Sequence, residues 1–268
     1  MRPCKATVII PTTGDRGPLL RYSVGSIRNQ TEQDFEVHIV GDGVSDATRQ
    51  AISRLQKEDP RIFFHDFPKH ERRGEPYRHQ VIQKTRGKNI FYLCDRDLML
   101  PHHIEFISQL LEAFDFVSTT FIDVKRDRSL DINQWVGYFG PGSQVELLKR
   151  RVGSLSCIGH SRAMYDRLKF GWRTTPVGMP TDLYMWDQFM VHPACKPFSA
   201  ARPTILYFQR GAYPGPPVEE RAEELAFWSN VISSPQGVDQ IFWAAFAGLL
   251  LDRINLRSSL DPQTQRRK

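Results

Sequence analysis

Two carboxylates flank an arginine in the run Leu93-Cys94-Asp95-Arg96-Asp97. Asp95 and Asp97 at a strand end can hold Mg2+ or Mn2+, ions that take hard oxygen ligands. Such an ion offsets the charge of an anionic leaving group. A third carboxylate, Asp42, stands between Gly41 and Gly43, and Pro11-Thr12-Thr13 brings two hydroxyls. His160 and His192 could each add a metal ligand, although an isolated histidine more often serves the core or the surface.

These groups act together only if the fold brings them to one place. Ala6-Thr7-Val8-Ile9-Ile10 is a short apolar, β-branched run and predicts a buried strand closed by Pro11. Leu19, Leu20, Val24 and Ile27 then recur at helical spacing. Phe35 to Val40 predicts a second strand, followed by a helix that Ser45 or Asp46 caps and that reaches Asp59-Pro60. Arg61 to Phe67 reads as a strand, Tyr77 to Thr85 as a helix and Asn89 to Cys94 as a strand. Pro101 opens a helix with Ile104, Ile107, Leu111 and Phe114 on one face, and Phe116 to Ile122 is a fifth strand.

This alternation predicts an α/β fold with a mostly parallel open sheet flanked by helices. Such sheets take ligands beyond the carboxyl ends of their strands. Pro11-Thr12-Thr13, Gly41-Asp42-Gly43 and Asp95-Arg96-Asp97 are three of those ends. Asp and Gly are common in any loop, but carboxylates and hydroxyls at three ends of one rim argue for a site.

The second half is less regular. Val124 to Leu130 reads as a loop and Pro141-Gly142 as a turn. Ser161 to Leu168, Asp182 to Met190 and Glu219 to Ile232 read as helices, and Thr204 to Phe208 as a late strand. Ile241 to Ile254 is a helix apolar on most faces, so it needs cover. The core comes first, then a second copy in a homodimer, then a peripheral membrane contact. The ending Arg266-Arg267-Lys268 reads as a disordered tail.

Composition narrows the classes. The 268 residues are 40% hydrophobic and 25% charged, a globular balance that argues against a fibrous or disordered chain. No apolar run approaches the roughly 20 residues of a spanning helix, and the opening residues show no signal peptide. Four cysteines form no CxxC pair, which excludes a zinc ribbon and argues against a disulfide scaffold. A cytoplasmic location is the expectation. A net charge of +6 suits an anionic ligand. The basic residues follow no nucleic-acid module, so no nucleic acid partner is expected. Neither GxGxxG nor GxxxxGK[ST] follows the first strand, which disfavours dinucleotide oxidoreductases and P-loop enzymes.

The ordered set Val8-Ile9-Ile10-Pro11-Thr12, Ser26-Ile27-Arg28-Asn29-Gln30-Thr31, Asp34-Phe35-Glu36-Val37, Gly41-Asp42-Gly43-Val44-Ser45-Asp46 and Leu93-Cys94-Asp95-Arg96-Asp97 with Leu100-Pro101 resembles the family 2 glycosyltransferases of GT-A fold. The resemblance covers residues 5–115 well and is loose from there to about residue 190. It implies an inverting transferase that uses a nucleotide-sugar donor and an acceptor whose identity stays open. Pro11, Thr12 and Thr13 would touch the nucleotide, and Asp42 would bind the base, with Gly41 in place of the family's first aspartate. A carboxylate there accepts the imide N–H of uracil or the ring N–H groups of guanine, which favours UDP or a guanosine donor. Arg78 would hold the diphosphate, and Arg72 and Arg73 lie in the same stretch.

Counting back from Pro101, Arg96 falls where many relatives carry the acidic metal ligand. Either Asp97 takes Mg2+ or Mn2+ with Asp95 on the ribose, or Arg96 replaces the ion's charge, or the site is degenerate. Met179-Pro180-Thr181-Asp182 with Trp186 resembles the family's second acidic motif, in which Asp182 is the base that takes the acceptor's proton. Thr181 replaces the usual Glu, and Asp182 could equally cap the helix. Residues 1–122 then form the donor half, 123–235 the acceptor half, and 236–268 the apolar helix and basic tail. A nucleotidyltransferase of similar architecture and a non-catalytic nucleotide-sugar-binding homologue are the competing readings.

Overall fold

The computed structural model describes residues 3–132, 154–208 and 215–260. The Pro141-Gly142 turn and the Arg266–Lys268 tail lie outside them. Strand β1 (Cys4–Gly14) is central to the first half of the sheet. Ala6, Val8 and Ile10 enter one hydrophobic cluster and Ile9 another. The run is apolar on both faces because both faces are covered. β2 (Phe35–Val44) and then β3 (Ile62–Phe67) follow on one side and β4 (Gly87–Tyr92) on the other, all parallel.

Helices α1 (Gly17–Arg28) and α2 (Asp46–Glu58) cover one face, with Leu20, Val24, Ile27, Ile52 and Leu55 in the first cluster. Pro18 starts α1, and Ser45 caps α2 by accepting the Thr48 N–H at 3.3 Å. α3 (Glu75–Ile82) places Val81 and Ile82 on the opposite face. It follows Gly74, whose φ of 64° suits glycine.

The sheet continues through β5 (Leu98–Met99), β6 (Phe116–Val124), β7 (Leu130–Ile132), β8 (Ile158–Ser161) and β9 (Pro197–Tyr207). Its order is β3-β2-β1-β4-β8-β6-β9-β5, with β7 paired to β6. α4 (His103–Leu110) packs Ile104 and Ile107 beneath it. The expected parallel arrangement holds for the first four strands. Beyond them the sheet is mixed: β8 runs antiparallel to both β4 and β6, while β9 is parallel to β6.

Several boundaries differ from the sequence reading. β1 and β2 run past Pro11 and Val40 to Gly14 and Val44, with a bulge between Thr12 and Gly14. The polar rim residues are therefore held by strand pairing. The helix expected from Ser161 begins as a strand, and only a single turn, α5 (Arg162–Tyr165), follows it. Ser161 caps that turn through the Met164 N–H at 3.1 Å. Gly159 is required in β8, since a Cβ there would lie 2.6 Å from Ile107 Cγ2. The charged loop after Val124 is a short hairpin leading into β7.

α6 (Thr181–Met190) and α7 (Val218–Val231) occur where expected. α8 (Pro235–Leu260) buries Ile241 and Ala245 against the cluster that holds Leu98, Ile122 and Leu206. The core placement expected for this helix extends only to that stripe. Trp243, Phe246, Leu250, Leu251 and Ile254 are exposed. Among the described residues no helix is long and apolar enough to cross a membrane.

The lower end of the parallel strands is fastened by Glu36, which is buried in β2. It accepts hydrogen bonds from Thr7 Oγ1 at 2.8 Å, the Arg86 N–H at 2.6 Å and Arg86 Nε at 2.7 Å. The Gly87 N–H donates to the same Thr7 hydroxyl at 3.0 Å. This network ties β1, β2 and β4 together at one end, so their other ends emerge side by side.

Candidate active site

At the upper rim the first carboxylate is Asp95, just past β4 and 1% exposed. It accepts a hydrogen bond from Thr12 Oγ1 at 2.9 Å and ion-pairs with Arg16 Nη1 at 3.1 Å. Arg16 also reaches the second Asp95 oxygen, at 3.2 Å. Asp97 is fully buried. Its Oδ2 accepts from Ser156 Oγ at 2.7 Å and its Oδ1 from the Phe208 N–H at 3.2 Å. Burial lifts its carboxyl to about 6, against the opposing pull of Arg96 and Ser156. Ser156 Oγ also accepts the Cys94 N–H at 3.0 Å, so one hydroxyl fixes both sides of the turn. Between the two acids, Arg96 keeps its charge despite burial through Cys94, Asp97 and Asp95, yet its Nε has no partner.

Asp42 ends up beside the segment that follows β3. Its carboxylate pairs with Lys69 and accepts the His70 N–H at 2.6 Å. Thr13 Oγ1 donates to the Asp42 carbonyl at 2.6 Å. A Cβ on Gly74 would lie 3.1 Å from the Asp42 Cβ, so the turn before α3 closes directly on this acid. Pro11 lies two residues before Thr13, paired with Val40.

The next residue, Glu75, is a buried acid that the sequence reading passed over. Burial works against its charge, but its own N–H, the Arg73 N–H at 3.0 Å and the nearby charge of Arg78 keep its carboxyl below the ordinary value. Its Oε1 accepts from Thr181 Oγ1 at 3.5 Å, joining α3 to the start of α6. One turn on, Arg78 is 5% exposed and stacks over Trp172 at 4.7 Å. Its Nη2 donates to the Arg73 carbonyl at 2.8 Å, while Nε and Nη1 are buried without an acceptor. Arg72 reaches the Pro176 carbonyl at 3.4 Å and also leaves its Nε unpartnered.

Asp182 is the second residue of α6. Pro180 takes the cap position and no side chain caps this helix, so Asp182 is not used in that way. Burial raises its carboxyl above the ordinary value, opposed first by Arg78 and then by Arg73. Arg96 also bears on it, which places Asp182 within electrostatic reach of both Arg78 and Arg96. The acids Asp42, Glu75 and Asp182 thus border one basic stretch, with Asp95, Arg96 and Asp97 next to it.

Trp172 and Trp186 belong to the core. Trp186 is fully buried against Tyr92, Trp172, Phe116 and Phe189. His160 is buried, with Nε2 2.8 Å from the Tyr92 hydroxyl. Burial lowers it to about 3, and it is a packing residue. His192 Nδ1 accepts the Ala194 N–H at 3.2 Å. Among the described residues no three His, Cys, Asp or Glu side chains gather as a metal-binding group.

The family model of Glycosyl transferase family 2 matches residues 7–170, more than half of the chain. The chain is a family 2 glycosyltransferase. The match runs from within β1 through β8 and α5 and takes in every rim acid described above except Asp182. A Campylobacter jejuni GalNAc(5)-diNAcBac-PP-undecaprenol beta-1,3-glucosyltransferase is 29% identical over 105 residues, 39% of this chain and 34% of that protein. An uncharacterized glycosyltransferase of Methanocaldococcus jannaschii is 32% identical over 100 residues, 37% of this chain and 34% of its own. The chain thus spans about a third of the length of these curated relatives.

Solved structures share the fold at low identity. S. aureus TarS 1-349 in complex with UDP-GlcNAc has a TM-score of 0.62 at 12% identity, covering 97% of this chain and 77% of that one. The Pyrobaculum calidifontis mannosyltransferase PcManGT, in complex with GDP-Man and Mn2+, has a TM-score of 0.54 at 16% identity, covering 99% and 83%. The GT-A architecture of this glycosyltransferase is therefore established.

Arg16, Lys69, His70, Glu75 and Ser156 join the site without having been read from the sequence. Arg16 follows Gly14-Asp15 past the first strand, a position that could have been weighed. Ser156 carries no local signal at all.

Proposed function

We propose that this transferase moves a sugar from a nucleoside-diphosphate donor, UDP favoured, to an acceptor hydroxyl with inversion at the anomeric carbon. The carrying observation is Asp182. It is a carboxylate with a raised proton affinity, set at the first turn of a helix beside a buried arginine that has two open donors. A base of that kind is matched to removing a proton from an alcohol as the alcohol attacks. The acceptor oxygen forms its bond to the anomeric carbon while the carbon–oxygen bond to the diphosphate breaks. The electron pair leaves with the nucleoside diphosphate, and the acceptor proton passes to Asp182.

Asp42 reads the base once its carboxylate is released from Lys69, with Pro11, Thr12 and Thr13 along the nucleotide. Asp95 faces the ribose and Arg78 the diphosphate. Residues 1–122 supply the donor half and 123–235 the acceptor half. The TarS complexes with UDP and with UDP-GlcNAc support a uridine donor, and the GDP-Man complex of PcManGT supports the guanosine alternative. The expectation of Mg2+ or Mn2+ draws on the same family and on the Mn2+ of PcManGT.

The test is Asp182→Asn. UDP release from UDP-sugars, measured against a panel of simple glycoside acceptors, falls by about 100-fold or more. UDP affinity by calorimetry stays near wild type. Unchanged turnover would remove Asp182 from the reaction.

A further inference from the structure

The divalent cation expected of this family has a poor seat here. The four oxygens of Asp95 and Asp97 already accept protein hydrogen bonds, from Thr12 and Arg16 on one side and from Ser156 and Phe208 on the other. Asp97 has no exposed surface through which an ion could reach it. The residue between them is a cation, and a metal placed at this turn would meet its charge. The donor set does not fit Mg2+ or Mn2+.

The same region has the opposite surplus. Arg96 donates no hydrogen bond and forms no ion pair to a described residue, and its Nε is buried. Arg78 leaves Nε and Nη1 buried and unmatched, and Arg72 leaves Nε. Buried guanidinium donors without acceptors are costly unless an anion completes them. A diphosphate is the anion whose paired acceptors suit a guanidinium fork.

We propose that Arg96, with Arg78, takes the part of the divalent cation toward the donor diphosphate, so that this enzyme binds and releases its nucleotide without a metal. The inference rests on the nucleotide-sugar reading above. As the bond between the anomeric carbon and the diphosphate oxygen breaks, its electron pair and negative charge stay on the diphosphate. The guanidinium of Arg96 neutralises that charge and keeps its own protons.

The experiment is calorimetric titration of the full chain with UDP, GDP and uridine, each in excess EDTA and in millimolar Mn2+. Wild type binds UDP or GDP with the same affinity in both buffers, within about twofold. Arg96→Gln loses about tenfold or more in UDP affinity, the scale of one charge-assisted hydrogen bond, and keeps its uridine affinity. Arg96→Lys keeps the charge and loses only part of that affinity, in EDTA as in Mn2+, so it carries the test if Arg96→Gln does not fold. In Arg96→Asp, UDP binding becomes dependent on Mn2+. A wild-type UDP affinity that EDTA lowers tenfold overturns the inference and leaves the donor reading standing. So does wild-type UDP affinity in a folded Arg96→Gln. Failure of UDP and GDP to bind in either buffer overturns the donor reading and the inference with it.

Discussion

Replacing Glu36 by Gln removes one charge from the fastening at the lower end of the parallel strands and changes almost no volume. In the fold, burial opposes ionisation of Glu36. Hydrogen bonds from the Arg86 N–H, Thr7 and the Arg86 guanidinium, with His38 Nε2 3.5 Å away, more than reverse that and bring its carboxyl to about 2, against an ordinary 4.5. That separation corresponds to about 3 kcal/mol of folding stability at neutral pH. A depressed carboxyl contributes fully above its unfolded value of 4.5, and the contribution drains away as the pH falls toward about 2. Urea unfolding of wild type and Glu36→Gln should therefore show a gap of about 3 kcal/mol at neutral pH that narrows steadily below pH of about 4.5. A gap that is the same at neutral and acid pH would refute the electrostatic account and leave only shape or packing. A gap under about 0.5 kcal/mol at neutral pH would refute the network's importance altogether.

Two further substitutions probe how the rim is held. Gly87→Ala puts a methyl 2.4 Å from the Thr7 nitrogen and hydroxyl and 2.7 Å from the Ala6 carbonyl carbon, so the β1–β4 pair must part. The expected loss is about 1–3 kcal/mol in urea unfolding, and thermal melting checks it. Ser156→Ala strands the Cys94 N–H and one oxygen of Asp97 at once. It should lower stability by about 2–5 kcal/mol, read as a drop in the urea midpoint at unchanged slope.

The first half of the chain was legible because its signals are local. Ala6 to Ile10, Phe35 to Val40 and Asn89 to Tyr92 each announce a buried strand within a few residues, and Ser45 marks the start of α2 where the structure has it. Asp42 and Asp95 followed from those strand ends. The second half was harder for a physical reason. β8 is four residues long with a glycine inside, and what fixes it is contact with Phe91 and Ile107, about fifty to seventy residues earlier. β9 opens with the mixed run Pro197-Phe198-Ser199-Ala200-Ala201-Arg202-Pro203, and its irregular register with β6 hides the alternation a strand would show. Glu75 sits in Gly74-Glu75-Pro76, which reads as an ordinary helix start. Its role comes only from the approach of Thr181, across more than a hundred residues. Asp182 was legible through the resemblance of its motif, and nothing in its immediate neighbours distinguishes it from a helix cap.

Asp97 is a clasp as much as a candidate ligand. One oxygen grips a side chain at the entrance to β8 and the other grips the main chain just past β9. A variant at this position would undo the join between two distant lengths of polypeptide before it altered any reagent's footing. Lost turnover in such a mutant, the usual sign of an ion's anchor, would say nothing about ions here. The guanidinium next door, which fastens no described part of the chain, is the position at which chemistry and architecture can be separated.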